Sequence, residues 1–150
     1  MKIAHGTLVM AVDGSKMLLF RNEGDERFII LDTLSHDRID HPSTHEMGSD
    51  APGRVFSSGG QRRSAYEETD WHERAEEGFA IKAADRLERV ATSGKADIVV
   101  LAPPRMLGYL RRHWGRNTRD AIVAEIGKDV VRREWDDIAC TIADHDPAVD

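Results

Sequence analysis

The chain has 150 residues, of which 40% are apolar, and this length suits a single domain built around one core. Its formal net charge of −6 argues against general binding to nucleic acids or membrane surfaces, although a local basic patch is compatible with it. The single cysteine, Cys140, excludes an internal disulfide and a multi-cysteine zinc site. No signal peptide and no apolar run long enough to cross a membrane are present, so a cytoplasmic protein is expected.

Three strands are predicted at the start of the chain. Residues 7–12 and 16–21 flank the turn pair Asp13-Gly14 and form a hairpin. A further turn leads to a third strand over residues 27–34. The next stretch, 35–68, has no regular period, and it is longer than the connections usual in compact domains. It is therefore predicted to be a long loop that is either functional or flexible.

The clearest helix signal follows this loop. Asp70 and Glu73 have the spacing of a capping box, and Gly94 supplies a stop. The apolar residues between them recur on one helical face, which predicts that they point into the core. They are Trp71, Ala75, Phe79, Ala83, Leu87 and Val90 or Ala91. Residues 97–102 then hold the continuous apolar run Ile98-Val99-Val100-Leu101, which is typical of a central strand covered on both faces.

The last third of the chain contains further helices and one strand. Proline at 103 and 104 opens a helix over residues 105–114, with Met106, Leu107 and Leu110 turned inward. Residues 121–126 are either a strand or the end of a helix that begins near Arg116, and their β-branched content favours the strand. A closing helix over 134–143 is expected to bury Cys140, and residues 144–150 form a frayed tail.

The order of these elements predicts the fold class. A β-β-β-α-β-α-β-α order, with antiparallel strands first and crossovers later, indicates an α/β protein with a mixed sheet and helices packed on its faces.

Two segments of this acidic chain are basic. Residues 54–65 and 105–119 contain no acid, and the second also holds Tyr109 and Trp114. Arginine binds phosphate through its planar fork, and an aromatic neighbour can stack on a base. The predicted phosphate-binding residues are Arg54, Arg62, Arg63, Arg105, Arg111 and Arg112. The alternative is that these arginines only form the solvated outer faces of amphipathic helices.

Other candidate sites are weaker. His36, His41 and His45, with Asp37 and Asp40, have spacings that can chelate a metal, but loop histidines without cysteine partners are usually solvated. Asp13 and Asp97 stand where a two-metal nuclease places carboxylates, yet a turn and a strand entry explain them better. We therefore predict no metal and no cofactor.

Several motifs together resemble the bacterial host attachment protein family. They are Ser49 to Phe56, Trp71-His72-Glu73, Leu101 to Arg111 and Gly127 to Val130. The resemblance spans nearly the whole chain. Its name implies a role in attachment to host cells, although the sequence itself carries no signal for export or adhesion.

The same element order is similar to the middle domain of archaeal and eukaryotic class I peptide-chain release factors, and this resemblance implies an RNase H-like fold. In that domain a Gly-Gly-Gln loop lies between the antiparallel strands and the first long helix. Gly59-Gly60-Gln61 takes this place here and is the implied catalytic group. Two glycines let the backbone approach an ester, and the glutamine can orient water and stabilise the departing oxygen.

The resemblance implies a translation-related protein that binds the ribosome or transfer RNA and, as an enzyme, hydrolyses the peptidyl-tRNA ester. The chain is too short to hold the codon-reading and partner-binding domains of a complete release factor. Two alternatives stay open. The three residues can be an incidental part of a flexible linker, and the chain can be a non-catalytic module that binds a protein or small ligand in attachment to host cells.

Overall fold

The protein's structure, a computed structural model, describes residues 1–38 and 60–147, with side chains at 1–35 and 71–147. The strands are β1 (Leu8–Val12), β2 (Lys16–Asn22), β3 (Leu31–Arg38), β4 (Ile98–Leu101) and β5 (Ile122–Ile126). The helices within the described ranges are α1 (Gly60–Ser93), α2 (Pro104–His113), α3 (Arg116–Ala121) and α4 (Trp135–Asp144). None of these helices combines the length and the apolar character needed to span a membrane.

The five strands form one mixed sheet in the order β3-β2-β1-β4-β5. Strands β1, β2 and β3 pair antiparallel, whereas β4 is parallel to both β1 and β5. The predicted α/β class with a mixed sheet is therefore confirmed. Strands β1 and β4 are central, and all nine of their residues are buried, which explains why residues 98–101 are apolar at every position.

Side chains alternate between two cores because successive residues of a strand point to opposite faces of the sheet. One core lies beneath α1 and α2 and receives Met10, Val100 and Phe79 among others. The other lies on the α4 side and includes Val99 and Ile138. The predicted inward residues of α2, namely Met106, Leu107 and Leu110, are buried in the first core as expected.

Helix α1 runs antiparallel to β4. Near its C-terminal end, Glu88 contacts the start of α3, which lies just before β5. Nearer its N-terminal end, a Cβ on Gly14, in the turn after β1, would lie 3.0 Å from the Glu76 Cγ. The 34 residues of α1 span about 51 Å at ~1.5 Å per residue, several times the length of the four-residue strand β4. Its first turns therefore extend past the sheet edge where β1 and β4 end.

Several element boundaries differ from the prediction. Helix α1 begins at Gly60 instead of Asp70, so the capping box at Asp70 is wrong and the last residues of the predicted loop are helical. The apolar period begins only at Trp71, so together with the capping-box spacing it predicts too late a start for α1. Residues 39–59 of that loop, and 148–150 of the predicted tail, lie outside the described residues.

Between β4 and β5 the structure has two helices where the predicted order had one. Residues 116–121 form α3 and 122–126 form β5, so both interpretations of this region are partly right. The observed order is β-β-β-α-β-α-α-β-α across the described residues.

Strand β3 begins at Leu31, four residues later than predicted, because a hydrogen-bonded loop takes up residues 23–30. The Asn22 side chain organises this loop and is fully buried. Its Nδ2 donates to the carbonyl oxygens of Ile3 and Ala4 at 3.2 and 3.1 Å. Its Oδ1 accepts from the backbone N–H groups of Gly24 and Ile30, both at 3.0 Å. One amide therefore ties the N-terminal segment to the loop.

Two side chains predicted to be in the core are exposed. Trp71 is 44% exposed, since it lies on α1 beyond the residues that pack on the sheet. Cys140 is also exposed, although its neighbours Ile138 and Ile142 are buried. Ile138 and Ile142 are one helical turn apart, and Cys140 lies midway between them, on the opposite side of α4.

Helix α3 is capped by an acid from another helix. The Glu88 carboxylate of α1 accepts hydrogen bonds from the Thr118 backbone N–H at 2.9 Å and from the Thr118 hydroxyl at 3.1 Å. The backbone N–H and the side chain of Asn117 donate to the same carboxylate. These bonds, the Thr118 backbone N–H first, hold the pKa of Glu88 below its ordinary value. A Cβ at Gly115 would overlap this carboxylate, so the approach requires glycine.

Replacement of Asn22 tests the loop. Asn22→Leu should lower the free energy of unfolding by at least about 2 kcal/mol, because it leaves several buried backbone groups without partners. Asn22→Asp should be destabilised more at neutral pH than at pH 4, because its carboxylate would face two carbonyl oxygens until it is protonated. Urea unfolding at both pH values measures the differences. Equal stability of both variants and the wild-type protein would contradict this role.

A matched pair of glycines tests the cap. Gly115→Ala should lower the free energy of unfolding, because the new Cβ displaces the Glu88 carboxylate from α3. Gly108→Ala, within α2, meets nothing within 4 Å and should be neutral or stabilising by up to about 1 kcal/mol through helix propensity. Thermal unfolding followed by circular dichroism compares them. Similar midpoints for both variants would contradict the close approach.

The pH dependence of the cap follows from the lowered pKa of Glu88. The ionised carboxylate stabilises the folded state above the pKa of the unfolded chain, and this contribution is lost as the pH falls through the lower folded-state pKa. The stability advantage of the wild-type protein over Glu88→Gln should therefore be largest near neutral pH and shrink under acid conditions. Urea titrations between about pH 2 and 7 measure this difference in the free energy of unfolding. A difference that is constant across this range would rule out the charged cap.

Candidate functional site

The second and third residues of the Gly-Gly-Gln sequence begin the long helix. Gly60 is the first residue of α1 and Gln61 the second, and the length of α1 before Glu76 indicates that both lie beyond the carboxyl edge of the sheet. The first N–H groups of a helix have no partner within it and carry partial positive charge. The predicted cationic residues Arg62 and Arg63 occupy the same first turn. The other predicted members, Gly59 and Arg54, lie outside the described residues.

Arg105 lies at the carboxyl edge of the sheet, as the second residue of α2, just after β4. Its guanidinium forms ion pairs with two acids of α1, Glu73 at 3.1 Å and Glu76 at 3.5 Å. Its Nε donates to the Tyr109 hydroxyl oxygen at 3.3 Å. This hydrogen bond and then the neighbouring Glu76 raise the pKa of Arg105, which as an arginine is already a permanent cation.

Arg112 lies on the other side of Tyr109 and pairs with the next acid of α1. Its Nη1 is 3.8 Å from the Glu77 carboxylate, which also lies 3.3 Å from the His113 ring nitrogen Nε2. The ζ carbons of Arg105 and Arg112 are each 5.9 Å from the centre of the Tyr109 ring. Both distances fall within the range of cation–π attraction.

Arg111 belongs to a separate group at β5. Its Nε donates to Glu125 at 2.9 Å, and the indole N–H of Trp114 donates to the other oxygen of the same carboxylate at 3.2 Å. Trp114 is buried, so this bond satisfies its only polar group. Trp114 is therefore part of the core and is not placed to stack on a base.

We define the edge cluster as Arg105, Tyr109 and Arg112 of α2 with Glu73, Glu76 and Glu77 of α1. Sequence reasoning found the cations and missed their acidic partners. The signal for these partners was present, because Glu73, Glu76 and Glu77 are spaced by three and four residues and so share one face of a helix.

The predicted site residues fall into two groups. Arg105, Arg111 and Arg112 lie on α2, whereas residues 60–63 lie at the start of α1. Gln61 precedes Glu73 by about 18 Å of helix at ~1.5 Å per residue. A ligand that contacts both the edge cluster and Gln61 must therefore be elongated.

The two aspartates considered for metal chemistry have local roles, Asp13 through its carboxylate and Asp97 through its backbone carbonyl. The Asp13 carboxylate accepts the backbone N–H groups of Ser15 and Lys16 at 2.8 and 2.7 Å, which closes the turn. The Asp97 carbonyl accepts from the N–H of Leu8 at the start of the sheet. In the part of the chain that the structure describes, no cluster of three or more His, Cys, Asp or Glu side chains can hold a metal. The side chains of His36, Asp37, Asp40, His41 and His45 lie outside that part.

Comparisons with known proteins give one family. Residues 6–142 match the family described as bacterial archaeo-eukaryotic release factor family 12. No individually curated protein matches the chain. The match runs from the residues before β1 into α4, and it confirms the release-factor resemblance, whereas the attachment role stays a prediction. The chain belongs to bacterial archaeo-eukaryotic release factor family 12.

Proposed function

We propose that this protein acts in translation in the cytoplasm, where it binds the ribosome or transfer RNA and hydrolyses the peptidyl-tRNA ester with Gly59-Gly60-Gln61. The observation that carries the proposal is the position of Gly60 and Gln61 at the tip of a helix that extends past the sheet, in a chain of a release-factor family. A tip of this kind can enter a confined site while the sheet stays outside.

The proposed fold is RNase H-like. The strand order β3-β2-β1-β4-β5, with the first three strands antiparallel and the last two parallel to β1, supports this proposal. In this arrangement α1 is the connection between the antiparallel strands and β4, which is the place that the release-factor resemblance gives to the helix after its Gly-Gly-Gln loop.

The proposed reaction needs no metal and no ionised base. Water attacks the ester carbonyl carbon, the bond to the 3′-oxygen breaks, and that oxygen leaves with a proton. Gly59 and Gly60 let the backbone approach the ester, since neither has a Cβ. The backbone N–H groups at the start of α1, together with the Gln61 side chain, are proposed to orient the water and stabilise negative charge on oxygen.

The proposed grip on RNA is divided along α1. Arg62 and Arg63 lie beside Gln61 in sequence, and they are proposed to bind the phosphates nearest the ester, with Arg54. Arg105 and Arg112 are proposed to bind phosphates farther along the strand. Arg111 is the weakest member, because its Nε already pairs with Glu125 at 2.9 Å.

A non-catalytic binding module is the second candidate. The observation that favours it is the pairing of Arg105, Arg111 and Arg112 with glutamates, which leaves these ion pairs with no net positive charge. Such a surface suits a protein partner as well as it suits RNA. Attachment to host cells is one setting for that partner.

Hydrolysis of purified peptidyl-tRNA, with and without ribosomes, tests the proposal. The wild-type protein should release the peptide, and Gln61→Ala should lose the activity by roughly a hundredfold or more, in line with the loss of an oriented stabilising group. Gly60→Ala should also lose activity while it stabilises the helix, because its Cβ obstructs the ester but favours helix formation. Circular dichroism verifies equal folding.

Gly78→Ala is the matched control, because it lies in the same helix and its Cβ would meet nothing within 4 Å. It should keep full activity. No peptide release by the wild-type protein, together with no binding to ribosomes or transfer RNA, would refute the proposal. Binding without hydrolysis, unchanged in Gln61→Ala, would instead establish the non-catalytic module.

A further inference from the structure

The edge cluster presents two arginine side chains on one exposed surface. The Arg105 and Arg112 side chains are 56% and 68% exposed, and both guanidinium groups lie against the Tyr109 ring. The Tyr109 hydroxyl also accepts a hydrogen bond from Arg105. Residues 105, 109 and 112 are spaced by four and three positions, so they occupy one face of α2. Tyr109 thus holds the two cations in a fixed relation.

The acids that pair with these arginines can be displaced. The arginines and Glu73 are exposed and Glu76 and Glu77 are half-buried, so water reaches every pair and screens it, and such pairs contribute little. The Arg112 contact to Glu77 is also long, at 3.8 Å. Each guanidinium has five N–H donors, and the contacts to the glutamates and Tyr109 use only some of them. A strand of phosphates can therefore replace the glutamates, with the release of counterions as a further gain.

The distance to Gln61 indicates which part of an RNA strand the cluster can reach. About 18 Å of helix separates Gln61 from Glu73, which pairs with Arg105. For a strand that keeps the stacked rise of a duplex, about 3.4 Å per nucleotide, this length corresponds to about five nucleotides. If the ester lies at Gln61, the phosphates near Arg105 and Arg112 belong to the same strand, about five nucleotides away.

We propose that Arg105 and Arg112, held in place by Tyr109, clamp the phosphates of the ester-bearing RNA strand about five nucleotides from the ester. Glu73, Glu76 and Glu77 occupy the clamp in the free protein and are displaced by RNA. This proposal rests on the proposed function for the location of the ester, but the binding of RNA to the clamp can be measured without any hydrolysis. Tyr109 is a positioning residue, since it acts through the two arginines.

Binding of transfer RNA as a function of salt tests the clamp directly. The double variant Arg105→Gln/Arg112→Gln should bind more weakly than the wild-type protein, and its slope of log K against log salt should be smaller by roughly 1.4, as for two lost single-strand contacts. The double variant Glu73→Gln/Glu76→Gln should bind more tightly, because the competing acids are gone. Tyr109→Leu should weaken binding without a change in net charge.

Asp85 and Arg89 of α1 supply matched controls, since they form an exposed ion pair at 2.7 Å outside the edge cluster. Asp85→Asn removes one acid, and Arg89→Gln removes one arginine. Both should leave affinity and salt slope close to wild type. Equal effects at Asp85 and at Glu73 and Glu76, or unchanged binding in the Arg105/Arg112 double variant, would overturn the clamp.

Substrate length then separates the clamp from the catalytic proposal. Peptidyl esters on a mononucleotide cannot reach the clamp, whereas esters on an RNA of about eight nucleotides can. The Arg105/Arg112 variant should hydrolyse the short ester at the wild-type rate and the long ester more slowly, through a raised KM. Hydrolysis of both esters that is unaffected by the variant overturns the clamp alone. Absence of hydrolysis in every protein, with the binding effects intact, overturns the catalytic proposal alone.

Discussion

The parallel pairing of β1 with β4 is the constraint on which the rest of this structure depends. Both strands are buried over their full length, so apolar residues face both cores and neither strand can shift register by one residue without exchanging them. Because β1 and β4 run parallel, their carboxyl ends share one edge of the sheet. The long helix between β3 and β4 must return to the start of β4, and its first turns therefore project beyond that shared edge.

Two polar side chains then hold the connecting segments against the sheet. Asn22 is buried and uses its whole amide to hold the loop before β3, while Glu88 reaches from α1 to the start of α3. Each group satisfies backbone N–H or carbonyl groups that would otherwise lack partners, and such buried groups are costly when unpaired. Hydrogen bonds from a side chain to the backbone thus hold both the loop before β3 and the start of α3.

The charged side chains at the carboxyl edge of the sheet bear on the proposed function. An arginine-rich segment on α2 meets a row of glutamates on α1, and the outcome is a surface that is rich in charges but nearly balanced. Surfaces of this kind bind weakly to any single small anion because internal partners compete with it. A polyanion can overcome this competition, since it offers many phosphates at once. Under the proposed function, this balance favours an elongated polyanion over a small anion, in keeping with the net charge of −6.

The sequence by itself determined the elements whose burial follows a local period. The central strand at 98–101, the first hairpin, and the inward faces of α1 at Phe79, Ala83 and Leu87 were all predictable, because apolar spacing reports directly on which side of an element is covered. Tertiary structure alone decided which residues of other elements each side chain contacts. Trp71 is exposed because it lies on α1 beyond the residues that pack on the sheet, and Cys140 is exposed because the other side of α4 faces the sheet. Arg105 pairs with Glu73 because α1 lies beside α2. Residues some thirty positions apart meet there, and no local pattern encodes such a meeting.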